Sequence, residues 1–207
     1  MTYPKPLQSP QSGIALLMTI MVLSVVLAVT LAIVELSLKQ LALSVDTRDS
    51  EIAFHAANAG LECARYTRRM ASTTIEAGNA VRFNCFGLSP SLVAKTANAS
   101  DGLDIESGAS EGNVYRYQTN LSWSGTTNRC SSIDMVTIIM NANSTSNLVL
   151  TADNGDSLGT IFPEYPGSKK TCAPGAVCTI VAVRGYNAPC NSLTNPGTLK
   201  RQVLLEF

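Results

Sequence analysis

An uncharged apolar run over residues 14–34 constrains this chain more than any other feature. The polar side chains within it are those of Thr19, Ser24 and Thr30. A secretory signal has an apolar core of about 7–15 residues, whereas a helix that crosses a membrane needs about 20. The run therefore predicts a membrane-spanning helix, preceded by a polar segment, residues 1–13, whose one charged side chain is Lys5. Hydropathy alone does not distinguish a span whose leader is removed from an uncleaved signal anchor with a short cytoplasmic tail.

The helix is predicted to continue well beyond the membrane, because residues 14–59 contain neither glycine nor proline. After the apolar run, charged and apolar residues mix, which predicts an amphipathic continuation over residues 35–70. Within it, four apolar residues recur at intervals of three and four and form one stripe of a helix. These residues, which we expect to pack against a sheet, are Phe54, Ala57, Leu61 and Ala64. Because alanine is prominent in the stripe, another layer can approach the helix closely.

The remainder of the chain predicts loops and strands. Residues 71–113 are rich in Ser, Thr, Asn, Ala and Gly and predict a connecting loop region, least structured in DGLDIESGASEG, residues 101–112. Four later segments have the composition of strands and are separated by turn-rich sequence; they are residues 113–123, 133–142, 177–186 and 198–207. The sequence thus predicts an antiparallel β-sheet domain over residues 114–207. The fold class is α+β, with the long N-terminal helix packed against the C-terminal sheet.

The cysteines indicate an oxidising compartment. All six follow the apolar run, in a part of the chain rich in Thr, Ser and Asn, whereas Lys5 precedes the run. This arrangement predicts a single-pass protein whose C-terminal domain lies outside. Three disulfides are possible among 15 pairings, and we expect at least one bridge within the C-terminal group of three. Zinc is disfavoured, because no CxxC pair occurs and the single histidine is distant in sequence. The cysteines are Cys63, Cys85, Cys130, Cys172, Cys178 and Cys190.

Charge and motifs predict neither an enzyme nor a nucleic-acid-binding protein. The 15 basic and 15 acidic residues balance, so no global field favours nucleic acid. The sequence contains no HExxH, P-loop or GxGxxG motif, and His55, the one histidine, lies on the predicted helix as a partly exposed or interface residue. We therefore expect no catalytic residue, no metal and no cofactor.

Three groups of charged residues have simple structural interpretations beside the functional ones. The carboxylates Asp101, Asp104, Glu106 and Glu111 lie in a glycine-rich stretch that is typical of a solvated loop. Asp153 and Asp156 could supply oxygen ligands to calcium, but tight turns use the same residues. A third group near the helix end could reach phosphate or acidic partners, and it also suits the helix dipole; its members are Arg65, Arg68 and Arg69.

Residues 12–66 specifically resemble type IV pilins and pseudopilins, and the resemblance is weak across residues 70–175. A leader ends in Gly13, an apolar helix follows directly, and AFHAANAGLECARY, residues 53–66, is similar to the AFYAAEAGLE segment of minor pilins with a PilX-type N-terminal region. This resemblance implies that a prepilin peptidase cuts between Gly13 and Ile14, and that Ile14 becomes a commonly N-methylated N-terminus. Residues 14–34 would then serve as both membrane helix and fibre-core helix.

The resemblance also implies a function and partners. A structural subunit is expected that initiates or caps a type IV pilus-like fibre for adhesion, motility, DNA uptake or secretion. It would work with other minor and major pilins and with the pilus assembly platform, first in the cytoplasmic membrane and then in a cell-surface pilus or pseudopilus. The alternative is an uncleaved, membrane-anchored binding domain that does not polymerise.

Three positions depart from the family pattern. Ile14 stands where phenylalanine is usual, and Glu35 stands where major pilins often have a proline that kinks the helix. The fifth residue after the cut is Met18, where the family typically has glutamate. In a fibre that carboxylate meets the N-terminal amine of a neighbouring subunit, and a buried carboxylate without a partner is costly. Met18 therefore predicts a low-copy initiating or tip subunit.

Overall fold

The structure is a computed structural model that describes residues 12–82, 84–88, 91–92, 94–96, 102–123 and 128–207. Residues 1–11 of the predicted leader, and Asp101 of the acidic group, lie outside the described residues. The chain divides into two compact units, Met1–Arg48 and Asp49–Phe207. The predicted α+β class is confirmed: one long N-terminal helix is followed by antiparallel sheets, and its second part packs against them.

Helix α1 runs from Ser12 to Met70 without interruption. Its interior lacks proline, and its glycines lie at its start and at Gly60, so nothing breaks the ladder of backbone hydrogen bonds. The remaining elements are short helix α2 (Ser72–Glu76), β1 (Val81–Arg82), β2 (Ser91–Leu92), β3 (Ala94–Thr96), β4 (Leu103–Ser107), β5 (Gly112–Trp123), β6 (Arg129–Met140), β7 (Leu148–Ala152), β8 (Lys170–Cys172), β9 (Val177–Tyr186) and β10 (Lys200–Glu206).

The second unit has three layers: the second part of α1, a five-stranded sheet and a three-stranded sheet. The five strands lie in the order β10-β9-β6-β5-β3, and the other sheet has the order β4-β7-β8. β1 and β2 form a separate small pair. β5 and β6 pair along their full length, from Gly112 opposite Met140 to Trp123 opposite Arg129. Because successive side chains of a strand point to opposite faces, the central sheet contributes to two cores.

The two cores lie on either side of the five-stranded sheet. The core beneath the helix contains Leu61, Ala64, Ile75, Tyr117, Leu121, Ile133, Met135, Val181 and Val183. The core between the sheets contains Leu103, Val114, Val136, Ile138, Leu148, Leu150, Phe162, Ile180 and Ala182. β6 is buried along nearly its whole length, and its apolar sequence on both faces is typical of a strand covered on two sides.

Small residues allow α1 to approach the central sheet closely. A Cβ atom on Gly185 of β9 would lie 2.0 Å from the Ala53 carbonyl oxygen and 2.3 Å from the Ala57 amide nitrogen. On the helix side, a Cβ on Gly60 would lie 2.8 Å from Val183 Cγ1. The Ser131 hydroxyl donates a 2.5 Å hydrogen bond to the Ala56 carbonyl and so joins the layers. Close approach through small residues agrees with the prediction from the alanine-rich stripe.

The predicted packing stripe is correct at three of its four positions. Ala57, Leu61 and Ala64 are buried. Phe54 is 48% exposed and does not belong to the contact. The fully buried residue at that end is Ala53, because at the closest approach to Gly185 the backbone leaves no room for an aromatic ring.

The connecting region is more ordered than the sequence predicted. The four predicted strands correspond to β5, β6, β9 and β10. However, residues 71–113 also contain α2 and β1 to β4, and the stretch predicted to be least structured contains β4. Leu103 is fully buried there, and Ile105 packs at the edge of the same core. Their alternation with Asp104 and Glu106 is the period of a strand with one buried face.

All six cysteines form disulfides, which confirms that prediction. Cys63–Cys85 ties α1 to the segment after β1, and Cys130–Cys190 ties β6 to the loop before β10. Cys172–Cys178 joins β8 to β9 and is the expected bridge within the C-terminal group.

Candidate functional site

The first unit presents an apolar helix surface with no covering layer among the described residues. Its large aliphatic side chains, from Ile14 to Val45, are 53–69% exposed. Residues 14–34 span about 30 Å at 1.5 Å per residue, which matches the hydrocarbon thickness of a bilayer. The hydroxyls within this span donate to helix carbonyls, for example Thr19 Oγ1 to the Leu16 oxygen at 2.8 Å. By length and composition, this helix could cross a membrane.

The apolar surface extends past that span. Five large aliphatic side chains between residues 36 and 45 are also exposed: Leu36, Leu38, Leu41, Leu43 and Val45. A helix turns about 100° per residue, so Leu38, Leu41 and Val45 form one stripe. Leu36 and Leu43 lie one above the other on roughly the opposite side. A bilayer anchor alone needs neither stripe, and in water both would remain hydrated at a free-energy cost.

The residues around the predicted cut are unobstructed. Gly13 lies in the first turn of α1. Apart from its chain neighbours and the backbone of its own helix, no described atom lies within 4 Å of the place where its Cβ would be. Ile14 and Met18 are both exposed on the helix surface. At Met18 the helix therefore offers a neighbour an uncharged side chain, where a carboxylate would require a cationic partner.

The three arginines near the end of α1 do not form one patch. Arg68 is buried, with Nη2 2.7 Å from Glu76 Oε1 and Nε donating to the Thr179 hydroxyl at 3.2 Å. Arg65 forms an exposed ion pair with Glu62 at 3.1 Å. Arg65 and Arg69 together line a cavity of about 330 Å³ beside the C-terminal strand, from which Arg68 is absent. Arg68 therefore stabilises the fold and is not available to an acidic partner.

The acidic residues of the glycine-rich stretch have separate roles. Asp104 accepts a hydrogen bond from the backbone amide of Ile105 at 2.8 Å. Glu106 pairs with Lys169 at 2.6 Å on the surface. Glu111 accepts a hydrogen bond from a backbone amide at 3.2 Å. These three carboxylates therefore act locally, at their own strands and turns.

The possible calcium residues form a turn. Asp153–Gly155 is a single 3₁₀ turn in which Asp153 Oδ1 accepts a 2.9 Å hydrogen bond from the Asn154 amide, and Asn154 has a positive φ of 59°. Asp156 follows in an extended conformation. In the part of the chain that the structure describes, no group of three or more His, Cys, Asp or Glu side chains is arranged to hold a metal ion.

One catalytic sequence pattern escaped the sequence analysis. GASEG, residues 108–112, matches the G-x-S-x-G pattern of a nucleophile elbow, in which a strand, a sharp turn and a helix present the serine. Here Ser110 is exposed in the turn between strands β4 and β5, and no helix follows it. His55 lies on α1 with its Nε2 3.7 Å from Glu51 Oε1, and both side chains are exposed. The pattern is therefore a turn between strands.

A buried ion pair between the two sheets was not predicted. Arg116 of β5 donates from Nε and Nη2 to the two carboxylate oxygens of Asp134 on β6, at 2.9 and 2.5 Å. Gln118 adds a third hydrogen bond to Asp134 at 3.1 Å, and the guanidinium lies over the Phe162 ring. Such a pair satisfies its own charges, and removing one partner leaves the other buried and uncompensated. Its role is structural.

Among the described residues, three titratable groups have clearly shifted pKa values: Tyr117, Tyr165 and Glu206. Burial, together with the hydrogen bond and the charge of Glu206, raises the pKa of Tyr165. Burial raises the pKa of Tyr117 to about 12, with a further contribution from the nearby Tyr115; its hydroxyl donates to the Ile75 carbonyl at 2.8 Å. Burial alone would raise the pKa of Glu206. Hydrogen bonds from Lys170 and Tyr165, together with the charge of Lys170, outweigh burial and hold that pKa below its ordinary value. These three groups stabilise the fold without forming a reactive site.

Comparisons of the chain with protein-family models, with curated proteins and with solved structures found no match. The function of the chain is therefore inferred from its own geometry.

Proposed function

We propose that the chain is a minor pilin or pseudopilin, a structural subunit that helps to initiate or cap a type IV pilus-like fibre. A prepilin peptidase removes the leader after Gly13, and the apolar helix stays as the anchor in the cytoplasmic membrane. The second unit then lies outside, and the subunit later joins a cell-surface fibre through contacts with minor and major pilins and the assembly platform.

The observation that carries this proposal is the pair of aliphatic stripes beyond the membrane span. Leu38, Leu41 and Val45 form one, and Leu36 and Leu43 the other, all exposed. An uncleaved, monomeric anchor would leave both stripes in water. Packing between helices of neighbouring subunits removes both from water, because stripes on roughly opposite sides can contact two neighbours at once. The stripes thus favour assembly over the tethered binding domain.

Met18 specifies the place of the subunit in the fibre. A glutamate at this position is stabilised inside a fibre when a neighbour supplies an amine. A subunit at the very tip has no neighbour on one side, and an apolar Met18 avoids an unpaired buried charge there. We therefore expect a low-copy tip or initiating subunit. Gold labelling of sheared filaments should mark their ends or almost nothing; uniform labelling along the shaft would contradict this assignment.

Processing at Gly13 tests the proposal directly. N-terminal sequencing of the membrane-extracted protein should begin at Ile14. Gly13→Val places a β-branched side chain at the cut, where the peptidase requires unobstructed backbone, so this variant should keep its full length. Ser24→Val is the matched control, since it introduces the same residue within the span and should be processed normally. Loss of the same leader from Gly13→Val, or a native N-terminus at Met1, would reject the proposal.

A further inference from the structure

A tight turn holds one aromatic residue in an unfavourable backbone conformation. Cys85 and Leu88 exchange two backbone hydrogen bonds, 3.1 and 2.8 Å long, around Phe86 and Gly87. Both central residues have positive φ, 53° for Phe86 and 76° for Gly87. This is the backbone of a type I′ turn, in which Asn, Asp and Gly are favoured at both central positions. Glycine adopts it freely, whereas phenylalanine does so at a cost.

Burial does not compensate for this cost, because Phe86 is 72% exposed. Its ring meets the half-buried ring of Trp123 edge to face, with the ring centroids 5.5 Å apart. The Cys63–Cys85 disulfide fixes the turn to α1. The Trp123 indole N–H donates to the Ser131 hydroxyl at 2.7 Å, which holds that ring in place. The result is a rigid pair of rings at the surface, which we call the aromatic ridge.

A cavity lies beside each ring of the aromatic ridge. The one beside Phe86 has a volume of about 350 Å³ and is also lined by Glu62, Tyr66 and Asn84. The one beside Trp123 has a volume of about 500 Å³ and is also lined by Asn128, Arg129 and Asn191. The described residues that line these two cavities include rings, amides and groups of both charges, but no large aliphatic side chain. Each volume lies within the range of small-molecule sites.

This lining fits a carbohydrate better than the other common ligands. A pyranose with equatorial hydroxyls presents apolar C–H groups to an aromatic ring, while its hydroxyls exchange hydrogen bonds with amides and carboxylates. The centre of a protein–protein interface is depleted of charged residues, whereas Glu62 and Arg129 line the cavities beside these rings. Nucleic acid would require a cationic surface, whereas here Glu62 and Arg129 carry opposite charges. We propose that the aromatic ridge of Phe86 and Trp123 binds a neutral, β-linked oligosaccharide, with sugar units in the two flanking cavities.

Trp123 is the one tryptophan of the sequence, so its fluorescence reports on the ridge itself. The full chain is placed in phosphatidylcholine vesicles, which contain no other tryptophan and avoid sugar-based detergents, and is titrated with cellohexaose and with chitohexaose. We expect saturable changes in Trp123 emission and protection from acrylamide quenching with at least one of them. Chitohexaose carries acetamido groups that cellohexaose lacks. The ratio of the two dissociation constants therefore shows whether the amide side chains bind the acetamido group.

Phe86→Asn is the decisive variant, since asparagine tolerates the turn conformation. It should raise the melting temperature slightly and weaken sugar binding by about tenfold or more, the scale of losing one aromatic contact. Phe86→Tyr should retain binding, and Phe54→Ala, which removes an exposed ring elsewhere, should leave it unchanged. Unchanged affinity in Phe86→Asn would overturn the proposal. So would no response to either sugar, or a Trp123 shift that depends on protein concentration alone, which would assign the ridge to a second copy.

This site does not depend on fibre assembly. Sugar binding in vesicles requires neither leader cleavage nor polymerisation, so its outcome and that of the Gly13→Val test are independent.

Discussion

Gly185→Ala is expected to be the most damaging single-methyl change in the contact between α1 and the central sheet. The added Cβ would lie 2.0 Å from the Ala53 carbonyl oxygen and 2.3 Å from the Ala57 nitrogen. Ordinary van der Waals contact begins near 3.4 Å, so helix and strand must separate by roughly 1 Å. Both contacts are with backbone, which cannot rotate away as a side chain can.

The expected cost follows from this geometry. Overpacking typically destabilises by about 1–3 kcal/mol, and the backbone clash places Gly185→Ala at the upper end, about 3 kcal/mol. For a unit of this size, the melting temperature should fall by roughly 6–12 °C. Gly60→Ala should cost less, because its Cβ meets the side chains of Val183 and Ser131 at 2.8 and 2.9 Å.

Thermal unfolding of the oxidised protein, followed by Trp123 fluorescence, measures these effects. Gly159→Ala is the control, since its Cβ would approach nothing closer than the Ser157 hydroxyl oxygen at 3.4 Å. It shares the loss of unfolded-chain entropy that any Gly→Ala change brings. We expect the largest fall in melting temperature for Gly185→Ala, a smaller one for Gly60→Ala and the smallest change for Gly159→Ala. Equal melting temperatures for Gly185→Ala and Gly159→Ala would refute the close contact between helix and sheet.

Three further predictions concern the second unit. Tyr117→Phe removes the hydrogen bond to the Ile75 carbonyl and should cost about 1 kcal/mol in urea unfolding; no change would show that the hydroxyl contributes nothing. The folded pKa of Glu206 lies below its ordinary 4.5. The stabilisation of the fold by the ionised Glu206 carboxylate is therefore present above pH 4.5 and is lost as the pH falls through the folded pKa. The melting temperature of the wild type should therefore fall more steeply than that of Glu206→Gln between about pH 5 and 3, and parallel curves would contradict this. Replacing the Cys172–Cys178 pair by serines opens a loop of sequence separation 6 and should destabilise the fold by about 2 kcal/mol in the chain-entropy model. For the Cys130–Cys190 pair, of separation 60, the same model gives about 4 kcal/mol. A lower melting temperature for the first variant than for the second would count against that model here.

The elements that the sequence predicted are those with a strong local pattern. The absence of helix breakers after Gly13 was enough to predict α1, and the apolar runs were enough to predict β5, β6, β9 and β10. Phe54 was assigned to the packing stripe because a large apolar side chain is usually buried. Close packing on Gly185 favours Ala53 instead, and that preference depends on a residue more than 120 positions away.

The features that were missed depend on long-range pairing. Arg116 and Asp134 meet because β5 and β6 pair in one register. A shift of one residue in one strand would turn that strand's side chain to the opposite face and separate the two groups. The disulfide partners are likewise set by the fold, since Cys190 pairs with Cys130 rather than with its near neighbours in sequence. The aromatic ridge requires a turn on one segment and a strand on another, so neither Phe86 nor Trp123 signals it alone.

The order of strands in the central sheet has a consequence for the timing of synthesis. β6 pairs on one side with β5 and on the other with β9, and β9 carries the Val183 and Gly185 that cover α1. These residues follow Leu61 by more than 120 positions, so at about 5–20 residues per second the ribosome delivers them roughly 6–25 seconds later. During that interval the small-residue face of the nascent helix has no native partner, and a nascent chain that stalls before Val177 cannot cover it.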